Sequence, residues 1–364
     1  MMKKYILLIS ILASTILFSQ TTDVITNINF PGGVVTNNSD LYVSDWLNGI
    51  IYKYDLNNTD NSPVIVANNL IRTYSLHIDN NDLYFCDTNA NTVYKIDITQ
   101  TNPTLETVAN NLNGPYGVFV HNNILYVANH FGNTISKLDL SNSNATLETF
   151  VTNLDGPFDL AVVGTDLYFT QRTAGKLSKV DLNNPTVVLD VLTNLGVPSG
   201  LAIKDQELFI AEPYLIIDSA YLPGRISKIN TSDPNPNQEI IYQYSGDQNN
   251  AFDHYGQHLF IDGNILYIGE SYANKVVSLN LDNLSLSEYE NKKEHLKLYP
   301  NPANDYIQTT EFSEILDYKI YNSLGQNLLS GKTQNNMIID ISSLDKGVYL
   351  IQFSNDITKR FIKN

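Results

Sequence analysis

One apolar phrase, closed by an acid or an amide, recurs six times along the chain. Leu41-Tyr42 in DLYVSD returns as Leu83-Tyr84 in DLYFCD, Leu125-Tyr126 in ILYVAN, Leu167-Tyr168 in DLYFTQ, Leu208-Phe209 in ELFIAE and Leu266-Tyr267 in ILYIGE. The intervals are 42, 42, 42, 41 and 58 residues. Around each phrase the same four apolar runs recur, shown most clearly by the third repeat. There GPYGVFV, ILYVAN, TISKLDL and TLETFVTNL read as consecutive short strands, separated by clusters of Asn, Gly and His that supply turns.

Four strands in a repeat of this length predict a propeller blade, in which each sheet buries its faces against its neighbours. The fold class expected is all-β: a six-bladed β-propeller closed by an N-terminal strand, followed by a small C-terminal β-sandwich. The sixth repeat lacks its fourth strand. DVITNINFPGG near the N-terminus resembles ETVANNLNGPYG of the third repeat, so Val24 to Ile28 is expected to complete the sixth blade and remove an open edge. Two ladders run through the repeats. Asn48-Gly49, Asn91, Asn133, Gly175, Gly224 and Asn274 mark one turn and read as residues tolerant of positive φ. Lys53, Lys95, Lys137 and Lys179 stand two residues before Asp55, Asp97, Asp139 and Asp181, a spacing that puts each pair on one strand face.

The fifth repeat carries insertions, chiefly in AEPYLIIDSAYLPGRIS, read as an apolar loop on the channel-mouth face that caps the channel or meets a partner, and in DQNNAFDHYG.

A net charge of −16 removes nucleic acid and anionic lipid surfaces from the partners considered. Residues 1–19 combine two lysines with an apolar run too short for a comfortable span, and predict a cleaved secretory signal with no transmembrane segment after cleavage. A single cysteine, Cys86, excludes an internal disulfide and reads as a small buried hydrophobe. The domains expected are a signal peptide at 1–19, the propeller at 20–286, a linker at 287–295 and a C-terminal module at 296–364.

The phrases GPYGVFV and LYVANHFGNTISKLD resemble those of NHL-type and gluconolactonase-like six-bladed propellers. On that likeness a ring of residues opens on the channel mouth: Gly32, Tyr74, Tyr116, Phe158, Ser199 and Tyr255. A second ring ends the second strands: Asp45, Asp87, Asn129, Gln171, Glu212 and Glu270, followed by Trp46, Thr88, His130, Arg172, Pro213 and Ser271. The lactonase-like enzymes hold a divalent cation with oxygens that include first-ring positions. Here that ring is mainly aromatic, so no cofactor is predicted. A divalent cation could still be gathered by Asp45, Asp87, Asn129, Glu212 and Glu270. The alternative use of those acids and amides is to accept backbone N–H groups in the turns that follow them. His77, His258, His130 and His254 are candidates for acid–base or metal chemistry, His77 and His258 being taken as equivalent positions on their first strands. Their other reading is as satisfied buried polar groups.

After residue 296 the pattern changes to short alternating strands. Tyr299-Pro300-Asn301-Pro302, Tyr321-Asn322-Ser323-Leu324-Gly325, Gly347-Val348-Tyr349 and the basic end Lys359-Arg360-Phe361-Ile362-Lys363 closely resemble the type A C-terminal sorting domain of the Bacteroidetes type IX secretion system. The resemblance implies delivery across both membranes by the type IX machinery through 296–364, then release or attachment to surface lipopolysaccharide. The leading functional expectation is a secreted or surface propeller binding an unknown extracellular organic ligand, such as a glycan or peptide. Trp46, Tyr74, Tyr116, Phe158, Arg172, Tyr255, Tyr214 and Tyr221 would make the contacts. A propeller hydrolase or lyase, and a structural interaction scaffold, are the alternatives.

Overall fold

The computed structural model describes residues 21–58, 62–217, 220–244, 256–282, 298–309, 316–322, 326–333, 337–353 and 358–364, and every named element in them is a β-strand. The signal segment, the linker, His254 and Tyr255 lie outside the described residues. The described residues fall into two compact units, one within Phe18–Asp282 and one within Asn283–Asn364.

The first unit is built from six four-stranded antiparallel sheets. The first sheet runs Pro31–Asn37, Asp40–Asp45, Ile50–Asp55 and Val64–Ala67, and each of the next four repeats that order. The first strands are Pro31–Asn37, Thr73–Asp79, Pro115–His121, Pro157–Val163, Leu201–Lys204 and Gly256–Asp262. They pack on one another in sequence, and the sixth returns to the first. Each Leu-Tyr phrase is a second strand buried on both faces: Leu41, Leu83, Leu125, Leu167, Leu208 and Leu266 are all fully buried. That is why the phrase is nearly continuous in apolar residues rather than alternating.

The sixth sheet is completed from the other end of the chain. Thr22–Thr26 pairs with Lys275–Asn280, from Thr22 opposite Ser278 to Thr26 opposite Lys275. The strand lies two residues earlier than the expected Val24 to Ile28, because Asn27 turns the backbone at φ 63° and ends it. Ser271 Oγ then donates to Pro31 O at 2.8 Å, joining the sixth sheet to the first.

The asparagine ladder does two jobs. Asn91, Asn133 and Asn274 take φ of 55°, 55° and 54° in the turn. Their side-chain oxygens also accept the N–H groups of Gly114, Gly156 and Phe30 at 2.8, 2.9 and 3.0 Å, each at the start of the following sheet. The lysine ladder corrects the expected pairing. Lys53, Lys95 and Lys179 reach across the hairpin to Asp40, Asp82 and Asp166 at 3.1, 2.9 and 2.7 Å. Asp55, Asp97 and Asp139 instead accept the N–H two residues on, in the turn that ends the third strand. In the antiparallel register the lysines stand opposite Tyr42, Tyr84 and Tyr168, and the carboxylates they reach are the diagonal neighbours two residues earlier on the second strand, within range of a long side chain.

The insertion in the fifth repeat is also reassigned. It forms no irregular loop: Glu207–Ile217 and Ala220–Asn230 are long strands that continue their pairing through Tyr214 opposite Pro223 and Ile217 opposite Ala220. The two apolar segments are opposite one another in register, Leu215 with Leu222 and Ile216 with Tyr221.

In the second unit, Leu298–Tyr299, Tyr306–Thr309 and Ile338–Asp340 form one sheet. Asn327–Thr333, Leu316–Tyr321, Gly347–Phe353 and Thr358–Lys363 form another, in that order. The inward residues Tyr349, Ile351 and Phe353 alternate along their strand and share a core with Ile307, Ile320, Ile339 and Phe361. The basic C-terminal strand is an integral part of this core.

Candidate functional site

The first strands carry two successive rings, and the structural register corrects one of them. Pairing places Thr73 opposite Asp87 and Gly256 opposite Glu270, so Tyr74 of the second sheet corresponds to Gln257 of the sixth. The ring is therefore Gly32, Tyr74, Tyr116, Phe158, Ser199 and Gln257. The Tyr-Gly pair shared by Tyr116-Gly117 and Tyr255-Gly256 points to Tyr255, which lies outside the described residues, but the pairing of the sixth sheet's first strand sets the equivalent position two residues later. The same offset shows that His77 and His258 are not equivalent. His258 corresponds to Ser75, and His77 to Phe260.

The ring formed by Gly33, Ser75, Gly117, Asp159, Gly200 and His258 has a regularity the sequence did not announce. Ser75, Asp159 and His258 each accept a backbone N–H from the next sheet's first strand. The donors are Val118 to Ser75 Oγ at 3.4 Å, Leu201 to Asp159 Oδ2 at 2.9 Å, and Val34 to His258 Nδ1 at 3.3 Å. Between them stand glycines. A Cβ at Gly33 or Gly117 would lie 2.3 or 2.4 Å from the carbonyl oxygen of Tyr74 or Phe158. Alternate sheets thus supply an acceptor, and the sheets between supply close backbone approach.

His258 Nε2 faces Asp159 Oδ2 at 3.9 Å. Burial lowers the pKa of His258 and raises that of Asp159, with the attraction between them opposing both shifts. Because Nδ1 accepts a hydrogen bond, the neutral ring carries its proton on Nε2, directed at the carboxylate. Asp159 was missed in the sequence. The signal was present in GPFDLAV, where an acid stands at a position that is glycine in three repeats, serine in one and histidine in one. His77 packs against Phe119 at 4.5 Å, and burial lowers its pKa to about 4. The Cys86 thiol is buried and its pKa is raised.

The second-strand acids and amides are distributed one per sheet and engaged by their own turns. Asp45 accepts the N–H and side-chain amide of Asn48, and Asp87 accepts the N–H groups of Ile71, Arg72 and Ala90. Asn129 donates to Thr134 and Ser136, and Glu212 accepts from Gly196, Arg225 and Gln238. Glu270 lies 3.7 Å from Lys275. Among the described residues, no three His, Cys, Asp or Glu side chains converge as a metal would require.

The aromatic residues do converge. Tyr74, Tyr116 and Phe158 form a triangle with ring centroids 4.9 to 5.0 Å apart, although they come from three different sheets. His130 packs on Tyr116 at 4.9 Å and Phe131 on His130 at 5.2 Å. Phe30 links Trp46 at 4.9 Å to Tyr272 at 5.0 Å. Two guanidinium groups lie on these faces, Arg72 over Trp46 at 4.3 Å and Arg172 over Phe158 at 4.7 Å. Each such pair contributes about 0.5 to 2 kcal/mol, depending on how far water is excluded. Phe131 is 61% exposed and Tyr272 49%, so flat apolar surface remains open at the rim. Phe30, Arg72, Phe131 and Tyr272 had not been identified from the sequence, because they sit in turns that differ between repeats.

Four buried polar atoms of this cluster have no hydrogen-bond partner among the described residues: Trp46 Nε1, Tyr74 OH, Arg172 Nη1 and His130 Nδ1. Tyr74 is 3% exposed. Burial drives its pKa upward, so the phenol remains a donor throughout the physiological range. Burial also raises the pKa of Tyr116, against the opposing charges of Arg172 and Arg72. The His130 pKa is lowered by burial and by Arg172. Tyr214 ends the regular part of the fifth sheet's second strand, opposite Pro223, and Tyr221 pairs with Ile216 in the extended hairpin.

Residues 297–364 match the family described as the secretion system C-terminal sorting domain. The chain therefore carries a type IX sorting signal and is exported to a secreted or cell-surface location. No curated protein matches the chain. Among solved structures it is similar to a luciferin-regenerating enzyme at 12% identity and TM-score 0.55, over 72% of this chain and 95% of that one. It is similar to a streptogramin B lyase at 13% identity and TM-score 0.52, over 72% and 97%. A nidogen/laminin complex gives 16% identity and TM-score 0.52, over 65% and 88%. At these identities the likeness supports a β-propeller fold and nothing about chemistry.

Proposed function

We propose that the first unit is a six-bladed propeller, closed by Thr22–Thr26, which binds an extracellular organic ligand at its aromatic mouth. The 297–364 unit is a small β-sandwich that directs export. The observation that carries this reading is the coincidence of exposed ring faces with three buried donors that have no partner among the described residues. Each buried donor left unpaired costs about 1 to 3 kcal/mol, and a folded protein keeps few of them without use. A ligand that stacks on the rings and accepts from Trp46, Tyr74 and Arg172 would recover that cost.

The test is retention of the exported protein on a glycan and peptide array. Tyr116→Ala, which opens the middle of the ring triangle, should weaken retention of the selected ligand by about tenfold or more. Unchanged retention would remove the mouth from the account.

A hydrolase or lyase is the second reading, and the Asp159–His258 pair is the observation that favours it. Its discriminating experiment is Asp159→Asn, which keeps one oxygen for the Leu201 N–H. Loss of turnover of the selected ligand with an unchanged melting temperature would support catalysis. Turnover absent in the parent protein would leave binding as the function. Attachment to lipopolysaccharide after export is a separate proposal, tested by whether the protein stays with washed cells or appears in the medium.

A further inference from the structure

The chain has only four arginines, and two of them stand at this mouth. Arg225 is paired with Glu212, and Arg360 lies in the C-terminal strand. Among the described residues no ion pair is found for Arg72 or Arg172. In a protein of net charge −16, two guanidinium groups held on aromatic faces without a carboxylate partner form a local reversal of sign. Tyr116 registers it, since both charges act on its phenol. Among the described residues, three acids of the neighbouring sheets are engaged elsewhere or exposed. Asp87 accepts three backbone N–H groups, Asp159 is held by Leu160, Leu201 and His258, and Asp155 is exposed beside His130. Of the unpartnered atoms in the cluster, Trp46 Nε1, Tyr74 OH and Arg172 Nη1 can donate at neutral pH, a set suited to an acceptor group, while the fourth, His130 Nδ1, can serve a sugar hydroxyl.

Resting on the ligand-binding reading of this mouth, we infer that its ligand is a carboxylate-bearing saccharide, with the carboxylate received by Arg72 and Arg172 and the sugar ring stacked on the exposed aromatic faces. A planar guanidinium receives a carboxylate through two parallel hydrogen bonds, and an arginine already resting on an aromatic face loses little freedom in doing so. A saccharide is favoured over an acidic peptide by the form of the surface. Peptides commonly bind by adding to a sheet edge, and the first strands here are packed against their neighbours all round. What the rim offers instead is ring faces, including Phe131 and Tyr272. Short oligomers are the fitting form, because a long polyanion would meet the acidic remainder of the surface.

The experiment is calorimetric titration of the full exported protein with trimers of galacturonate, glucuronate and mannuronate. The comparisons are the corresponding neutral trimers and triglutamate. At least one uronate trimer should bind saturably, about tenfold or more tightly than its neutral counterpart. Arg172→Gln and Arg72→Gln, each checked for an unchanged melting temperature, should each weaken the uronate by about tenfold more than they weaken the neutral trimer. Equal binding of neutral and acidic trimers, binding of triglutamate in preference to every uronate, binding of no uronate, or indifference to both substitutions would overturn the inference. These outcomes are distinguishable from failure of the ligand-binding reading. A neutral array ligand whose retention needs Tyr116 would defeat the acidic saccharide and preserve the site, whereas ligands indifferent to Tyr116 would defeat the site itself.

Discussion

At the scale of single residues, the interior is governed by a few polar groups placed where the backbone needs them. His77 makes the clearest prediction. Its folded pKa, about 4, lies below the 6.5 of the free side chain, so between those values the unfolded chain binds more protons. Stability attributable to His77 is therefore present above pH 6.5 and is lost as pH falls toward 4. Melting temperature followed over that range should drop in the parent protein and drop less in His77→Phe, which places at this position the residue found at the equivalent Phe260. Identical acid limbs would contradict the assignment. The Asp159 carboxylate makes a second prediction. Asp159→Ala leaves the Leu201 N–H without its acceptor and should cost about 1 to 3 kcal/mol, measured by denaturant unfolding, with Asp159→Asn recovering most of it. None of this was legible from the histidines themselves. Their apparent equivalence came from counting from a Tyr-Gly pair, and the pairing register of the sixth sheet's first strand lies two residues off that count. Asp159 was visible only as an acid in an apolar run, and its meaning depends on which residue of another sheet it faces.

At the scale of elements, the period of the Leu-Tyr phrase carried most of the information. It located every second strand, because a strand buried on both faces has little freedom to change its apolar residues. It also showed that one outer strand was missing at the end of the sixth repeat, and the N-terminal segment supplies it. Two elements escaped. The fifth insertion reads as a loop by length, yet its two apolar segments, LII and AYL, are paired strands; a continuous apolar run carries no period-2 pattern to announce them. The asparagine ladder was read as turn chemistry alone, although the same side chains reach the next sheet. That double role can be separated experimentally. Asn133→Gly keeps the positive φ and removes the bond to Gly156, whereas Asn133→Ala loses both. Denaturant unfolding should show the alanine variant about 1 to 2 kcal/mol less stable than the glycine variant. Equal losses would mean that the inter-sheet hydrogen bond is the whole contribution.

At the scale of the molecule, address and binding surface belong to different units. The sorting domain was fully legible, because its motifs occur in order and its basic end is a core strand rather than a loose tail. Removing 296–364 should leave the protein in the periplasm, assayed by cell fractionation, and normal surface display would contradict the assignment. The mouth was legible in part. Trp46, Tyr74, Tyr116, Phe158 and Arg172 were identified as rim positions from the repeat alignment. Phe30, Arg72, Phe131 and Tyr272 were not, since they occupy turn positions whose residues vary from repeat to repeat. The scaffold is repetitive, and the chemistry collects at the positions that depart from the repeat.

Trp46 is the only tryptophan in the chain, and it lies within this cluster under Arg72. Its emission therefore reports on the mouth without any label. Titrating the exported protein with its array-selected ligand should change Trp46 emission saturably, with the same midpoint as the calorimetric binding curve. A ligand that binds saturably by calorimetry and leaves Trp46 emission unchanged would place binding elsewhere and contradict the account.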